Sequence, residues 1–135
     1  LRLPTEAEWE KAARGAGGRE WPWGSKFYKT KCNSSEGGQG GTTPVGLYSP
    51  AGDSPYGCAD MVGNVWEWCN SLYQPYPYRA DDGRESEAAS DYRVLRGGSF
   101  IFNARSVRCA LRNRDNPDTR RDDYGFRVCI APVSS

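Results

Sequence analysis

The sequence contains no histidine among its 135 residues. This absence removes the commonest general base, the usual imidazole ligand of metals and every Ser-His or Cys-His arrangement for nucleophilic catalysis. The five cysteines include no CxxC pair, so we expect no zinc site. We expect reduced, partly buried thiols, and a Cys58–Cys69 disulfide is the alternative.

The sequence also has no hydrophobic run long enough to cross a bilayer and no signal peptide. Its net charge is only +1, so no overall electrostatic field favours nucleic acid or a membrane surface. We therefore expect neither nucleic-acid binding nor membrane insertion. The compartment stays open, because a cell-surface or secreted location would require a leader that had been removed.

Glycine, proline and aromatic residues are plentiful, which predicts many turns and a small core rich in aromatic rings. The length is that of one domain. Residues 44–48 resemble a short extended piece, and residues 73–90 show no periodicity and are typical of a surface loop. A few short strands, one clear helix and long loops predict a loop-rich α+β fold.

The helix is predicted by a capping box near the start of the chain. Thr5 can accept a hydrogen bond from the amide of Glu8, and the Glu8 carboxylate can reach back to the amide of Thr5. We expect the helix to run from about Glu6 to Arg14 and to stop at the following glycine. Trp9 and one of the two alanines after it should face inward.

Two carboxylates flank a glycine turn in the middle of the chain. Trp66 and Trp68 alternate with Glu67, which is the periodicity of a strand, and Asp60 precedes the turn. Carboxylates together with the carbonyls of a tight loop provide the hard oxygen ligands that calcium prefers. The pattern therefore predicts a calcium site, although paired acids near a turn are also common without one.

The stretch 94–128 has two ordered ends around an irregular middle. Residues 94–99 and 125–128 are predicted to be short strands. Residues 93–127 contain nine arginines, four aspartates and no lysine. This charged segment is either a solvated, ion-paired surface or a dedicated binding face.

Four motifs occur in order along the chain: RLPTEAEWEKAARG (2–15), DMVGNVWEW (60–68), LRGGSF (95–100) and GFRV (125–128). Together they resemble the formylglycine-generating enzyme, or sulfatase-modifying factor, family, whose fold is a variant of the C-type lectin fold. The resemblance covers residues 1–135 and matches the C-terminal part of that family's domain. Within this domain, residues 94–128 are the candidate variable and ligand-binding region.

The resemblance implies structural calcium. In the family, a matching loop binds the ion through side chains at the positions of Asp60 and Glu67 and through carbonyls at those of Gly63 and Val65. A possible second calcium would use Asn33 with the glycine-rich loop that follows it. The aspartate that the family has in that loop is not clearly present here.

The enzymatic activity of the family is not expected to carry over. The formylglycine-generating oxidases hold copper with a cysteine pair, but the corresponding interval, residues 100–108, contains no cysteine, and Cys109 stands alone. Related sulfoxide synthases bind iron through histidines. We therefore expect neither copper nor iron and predict that this chain is not an enzyme. A divergent oxidase, or its inactive accessory domain, is the alternative.

The C-terminal stretch also resembles the variable region of proteins diversified by retroelements, in which AAY asparagine codons are mutated at adenine. Such codons cannot become Lys, Gln, Glu, Met or Trp, and residues 100–124 contain none of these five. The resemblance predicts a diversified face that binds a protein ligand. Its residues are Phe100, Ile101, Phe102, Asn103, Ser106, Leu111, Asn113, Asp115, Thr119, Arg121, Asp122, Asp123 and Tyr124.

Within this set, Arg121, Asp122 and Asp123 are expected to form a polar rim around apolar residues. The competing interpretation is that Phe100 fills the position of a buried tryptophan and that Ile101 packs beneath it. Arg96, Arg112 and other arginines are expected to hold the loops by charge-assisted hydrogen bonds. A sugar-binding lectin ranks last, because the calcium-chelating sugar motif of classical C-type lectins is absent.

Overall fold

A computed structural model describes residues 1–131. The predicted domain end at residues 132–135 lies outside this described part. The elements are α1 (Glu6–Arg14), β1 (Trp66–Leu72), β2 (Arg93–Arg96), β3 (Arg112–Asp115), β4 (Tyr124–Gly125) and two short 3-10 turns, Ser35–Gly37 and Ala104–Ser106. The expected α+β class is confirmed. Within residues 1–131, no helix is both long and apolar enough to cross a membrane.

Helix α1 has the predicted bounds, because its signals are local. The Thr5 hydroxyl accepts from the Glu8 amide at 3.1 Å, and the Glu8 carboxylate accepts from the Thr5 amide at 2.8 Å. Gly15 ends the helix with a φ of +69°, and its amide donates to the carbonyl of Lys11. Trp9 and Ala13 are buried as expected.

The sheet has the strand order β3-β2-β1-β4. Strand β2 pairs antiparallel with both β1 and β3, whereas β4 runs parallel to β1. Strand β3, with the sequence RNRD, was not predicted, because its residues have low strand propensity and it forms by pairing with the buried β2. Strand β4 is Tyr124–Gly125, so the predicted strand at 125–128 coincides with it only at its first residue.

One loop expectation is wrong, and another loop is fixed to the core by a tryptophan. Residues 45–50 form turns rather than an extended piece, and Gly46 has a φ of +84°, which reverses the chain there. Trp21 is buried, and its indole N–H donates to the carbonyl of Ala104 at 3.3 Å. This tryptophan pins its loop onto the core.

The core lies between α1 and the sheet, and it is small and rich in aromatic and sulfur-containing side chains. Trp9, Met61, Val94, Val107 and Cys109 belong to it. All five cysteines are free thiols, so the alternative Cys58–Cys69 disulfide is not formed.

Candidate functional site

An open cavity of about 500 Å³ lies beside the start of β1 and is lined almost entirely by predicted variable positions. Seven of the thirteen predicted residues contribute to it, and Trp66 is the eighth lining residue. The lining consists of Trp66, Ile101, Phe102, Asn113, Arg121, Asp122, Asp123 and Tyr124. We call this set the cavity face.

The floor of the cavity face is aromatic. Trp66 is 3% exposed and meets Phe102 edge to face, with ring centroids 5.5 Å apart. Tyr124 packs in the same manner against Trp68, also at 5.5 Å. Ile101 stands above this floor with 56% of its surface exposed. Such an exposed apolar residue over rigid rings is typical of a recognition surface.

Asp115 and Thr119 support the cavity face rather than line it. The Asp115 carboxylate accepts from the Tyr124 hydroxyl at 2.8 Å and from the Thr119 hydroxyl at 3.0 Å. The hydrogen bond from Tyr124 lowers the pKa of Asp115, whereas burial, followed by that bond, raises the pKa of Tyr124 to about 12. The Tyr124 ring is therefore held in place through its hydroxyl.

Asp123 differs from the expectation of a polar rim. Its side chain is only 5% exposed and accepts from the Ser99 hydroxyl at 2.7 Å, while its backbone carbonyl accepts from the amide of Trp66 at 2.8 Å. Asp123 therefore fixes its loop to Ser99 and to the start of β1. Arg121 and Asp122 are exposed and form the rim.

The four remaining predicted residues lie outside the cavity lining. Phe100 is half-buried, and its amide donates to the carbonyl of Asn64 at 3.0 Å. Asn103 is exposed and caps the second 3-10 turn by accepting from the amide of Arg105. Ser106 and Leu111 are half-buried. The structure thus divides the predicted set into a contiguous cavity face and residues that flank or support it.

One fully buried glutamate joins the scaffold arginines behind the cavity face. Glu6 is 0% exposed and accepts from Arg96 at 2.8 Å and from Arg112 at 2.8 Å. Arg96 also pairs with Glu10 and donates to the carbonyl of Cys109 at 3.0 Å. We call Glu6, Glu10, Arg96 and Arg112 the Glu6 cluster. It was not predicted, because nothing in the sequence near Glu6 indicates partners about a hundred residues away.

Three of the four predicted calcium positions meet at a smaller cavity of about 250 Å³, lined by Asp60, Val65 and Glu67 among others. Arg127 lines the same cavity and donates to both oxygens of Glu67, at 2.6 Å and 2.9 Å. Gly63 lies outside this lining, and its amide donates to the carbonyl of Gly97. Two carboxylates and nearby carbonyls suit calcium in type, but the ion would have to share Glu67 with a guanidinium.

No group of three or more His, Cys, Asp or Glu side chains in residues 1–131 is placed to hold a metal. A metal in this part of the chain would therefore need carbonyl or amide oxygens beside at most two such side chains. Asn33 offers one of these. It is 1% exposed, its amide nitrogen donates to the carbonyl of Gly41 at 2.9 Å, and its side-chain oxygen has no donor among the described residues. A buried, unpaired oxygen is costly, and a cation would satisfy it.

The buried thiols are poorly suited to the copper-thiolate chemistry of an oxidase. Burial raises the pKa of both Cys32 and Cys109 to about 12 and raises that of Cys69 as well. These thiols are therefore protonated at neutral pH.

Three comparisons with known proteins bear on the whole chain. The family model described as "Sulfatase-modifying factor enzyme 1-like domain" matches residues 1–132. The chain is 40% identical to the inactive C-alpha-formylglycine-generating enzyme 2 of Bos taurus, covering 93% of this chain and 42% of that protein. It is 39% identical to the hercynine oxygenase of Mycolicibacterium smegmatis, covering 94% of this chain and 32% of that one.

The structure resembles that of Treponema denticola variable protein 1, with a TM-score of 0.77 and 32% identity over 93% of this chain and 45% of the other. The chain spans less than half the length of each of these three relatives. The relatives thus include a protein named as inactive, one named as an oxygenase and one named as variable.

Proposed function

The chain belongs to the sulfatase-modifying factor enzyme 1-like family and has a C-type lectin-like fold, and on that premise we propose that it is a non-enzymatic binding module. Its ligand is a protein, which the cavity face contacts directly. The observation that carries this proposal is the convergence of seven predicted variable positions on one cavity. These positions were chosen from family resemblance and codon chemistry, without reference to a structure, and a shared concave surface gives them a common role.

The composition of the cavity face supports a protein ligand. An aromatic floor beneath an exposed Ile101, surrounded by Arg121 and Asp122, has the apolar centre and polar rim of protein interfaces. Tyrosine, tryptophan and arginine are the residues that dominate binding energy at such interfaces. The cavity is open rather than enclosed, which suits a protruding side chain of a partner more than a small buried substrate.

The fold can tolerate diversification, because the contacts that stabilise it do not involve the exposed residues of the cavity face. The amide of Trp66 and the hydroxyl of Ser99 donate hydrogen bonds to the buried Asp123. The Glu6 cluster joins α1 to the strands through ion pairs. Ile101, Arg121 and Asp122 are exposed, so changes there should leave stability nearly unaltered. Similarity to a protein named as variable is consistent with this arrangement.

Retroelement diversification makes a specific prediction about the DNA that flanks this gene. We expect a near-repeat of the coding region for residues 94–128, beside a reverse transcriptase gene, with adenines at the codons for Ile101, Arg121 and Asp122. The codons for the scaffold residues Arg96 and Arg127 should be identical in the two copies and serve as the internal control. Sequencing of the locus tests this. A locus without such a repeat would refute diversification.

The alternative is an oxidase of the formylglycine-generating type, which the match to the sulfatase-modifying factor family favours. It requires a cysteine pair that residues 100–108 lack and thiols that ionise more readily than Cys109. Incubating the protein with copper and a cysteine-containing peptide distinguishes the two functions. Sustained oxygen uptake with conversion of the peptide would establish the oxidase, whereas the binding module leaves the peptide unchanged.

We further propose that calcium stiffens the scaffold through Asp60, Glu67 and the carbonyls of Gly63 and Val65, with Asn33 as a ligand of a second ion. Support comes from the shared cavity of Asp60, Val65 and Glu67 and from the unpaired oxygen of Asn33. The role would be structural, because a bound ion fixes the loop geometry and lowers the ordering cost of ligand binding.

Calcium binding at this loop should raise the melting temperature, since a ligand that binds only the folded state stabilises it by about 2.7 kcal/mol at a hundredfold excess over its Kd. Differential scanning calorimetry with calcium and with chelator measures the shift. Asp60→Asn keeps the shape of the side chain but removes its charge and should reduce the shift. Asp122→Asn, on the rim of the cavity face, is the control. Equal melting temperatures in calcium and in chelator would reject the proposal.

A further inference from the structure

Five side chains from two parts of the chain alternate between aromatic rings and cations. Arg112 lies between Tyr73 and Tyr76, with its guanidinium carbon 4.3 Å and 4.5 Å from the ring centroids. Arg114 lies between Tyr73 and Tyr92, at 5.2 Å and 5.0 Å. We call this the arginine–tyrosine ladder: Tyr76, Arg112, Tyr73, Arg114 and Tyr92 in spatial order.

The ladder occupies one face of β3, and the cavity face begins on the other. Because side chains alternate along a strand, Arg112 and Arg114 point to one side, whereas Asn113 and Asp115 point to the opposite side. Asn113 lines the cavity, and Asp115 holds the hydroxyl of Tyr124. The position of β3 therefore determines where two elements of the cavity face lie.

The sequence of strand β3 does not favour a strand by itself. It is four residues long, lies at the edge of the sheet with β2 as its neighbour, and carries polar side chains of low strand propensity. Its pairing with β2 spans Arg93 to Arg96. Side-chain contacts must therefore help to hold β3 in place. The arginine–tyrosine ladder makes such contacts on the side of β3 that faces away from the cavity.

The two arginines of the ladder have different duties. Arg112 also donates to buried Glu6 and to the carbonyl of Gln74 at 2.7 Å, so it is part of the fold. Among the described residues, the Arg114 guanidinium makes no hydrogen bond or ion pair and contacts the rings of Tyr73 and Tyr92. A planar guanidinium stacks on such rings in a way that an ammonium does not.

We propose that Arg114 is a positioning residue, which, clamped between Tyr73 and Tyr92, locks the edge strand β3 and presents Asn113 and Asp115 to the cavity face in a preorganised state. The effect of Arg114 on ligand binding rests on the proposed function. The locking itself is a property of the free protein, since rigidity before binding reduces the ordering cost.

Amide hydrogen exchange of the free protein measures the locking directly, because exchange of the β3 amides that pair with β2 reports local opening. In Arg114→Gln, those amides should exchange about tenfold faster, the loss expected for two stacked contacts. The amides of α1 should keep their rates. Tyr92→Leu, which removes one ring but keeps an apolar side chain, should give a smaller increase confined to the same strand.

Arg120→Gln is the matched control, because Arg120 is an exposed arginine of the same segment outside the ladder. Unchanged exchange at β3 in Arg114→Gln would overturn the proposal, and so would an equal acceleration in α1, which indicates general destabilisation. In the double variant Arg114→Gln/Tyr92→Leu, exchange of the β3 amides should be accelerated by less than the product of the two single accelerations. A locus without the DNA repeat would refute diversification and leave this exchange result standing.

Discussion

Replacement of Glu6 by alanine is expected to lower the free energy of unfolding by about 3–5 kcal/mol, because it leaves two arginines without their buried carboxylate. Glu6 and Arg96 are both fully buried and are joined by a 2.8 Å hydrogen bond. Arg112 contacts the same carboxylate through two of its nitrogens. A loss of this size is a large share of the total stability of a small domain.

Urea denaturation followed by tryptophan fluorescence measures this effect, and Glu6→Gln separates charge from shape. The glutamine keeps hydrogen-bonding capacity but not the negative charge, so we expect a loss only somewhat smaller than that of alanine. Glu20→Ala, at an exposed glutamate, should change stability by no more than about 0.5 kcal/mol. A Glu6→Ala protein as stable as the Glu20→Ala control would show that Arg96 and Arg112 find other partners.

The Glu6 cluster also shows where prediction from sequence stops. The capping box and the bounds of α1 follow from neighbours within a few residues, and both are confirmed. That Glu6 faces two arginines of the C-terminal half depends on how α1 packs against β1 and β2. Strand β3 was missed for the same reason, because its RNRD sequence becomes a strand only through pairing with β2.

The candidate site divides in a similar way. Codon chemistry and family resemblance selected thirteen positions, and seven of them line the cavity. They could not distinguish a rim residue from an anchor. Asp122 is exposed, whereas Asp123 is buried and accepts a hydrogen bond from Ser99, although the two aspartates are adjacent in the sequence. Trp66 was assigned to a strand and not to the cavity, since its ring lies at the floor only through tertiary packing.

A second large effect is expected at Gly98, where the scaffold passes into the cavity face. Gly98 has a φ of +70°, which costs an L-residue about 1–2 kcal/mol. A Cβ at this position would overlap the carbonyl oxygen of Ser106 and lie 2.8 Å from Cγ1 of Val107. Overpacking of this kind adds about 1–3 kcal/mol. Gly98→Ala should therefore lower the free energy of unfolding by about 2–5 kcal/mol.

The matched control is Gly17→Ala, because Gly17 does not have a positive φ and a Cβ there would meet no atom within 4 Å. By restricting the unfolded chain, that substitution should be neutral or stabilising by about 0.4–1 kcal/mol. Urea denaturation of both variants gives the comparison. If Gly98→Ala is as stable as Gly17→Ala, the turn that contains Ser106 moves without cost. The close approach of Gly98 to Ser106 and Val107 would then contribute little to the stability of the fold.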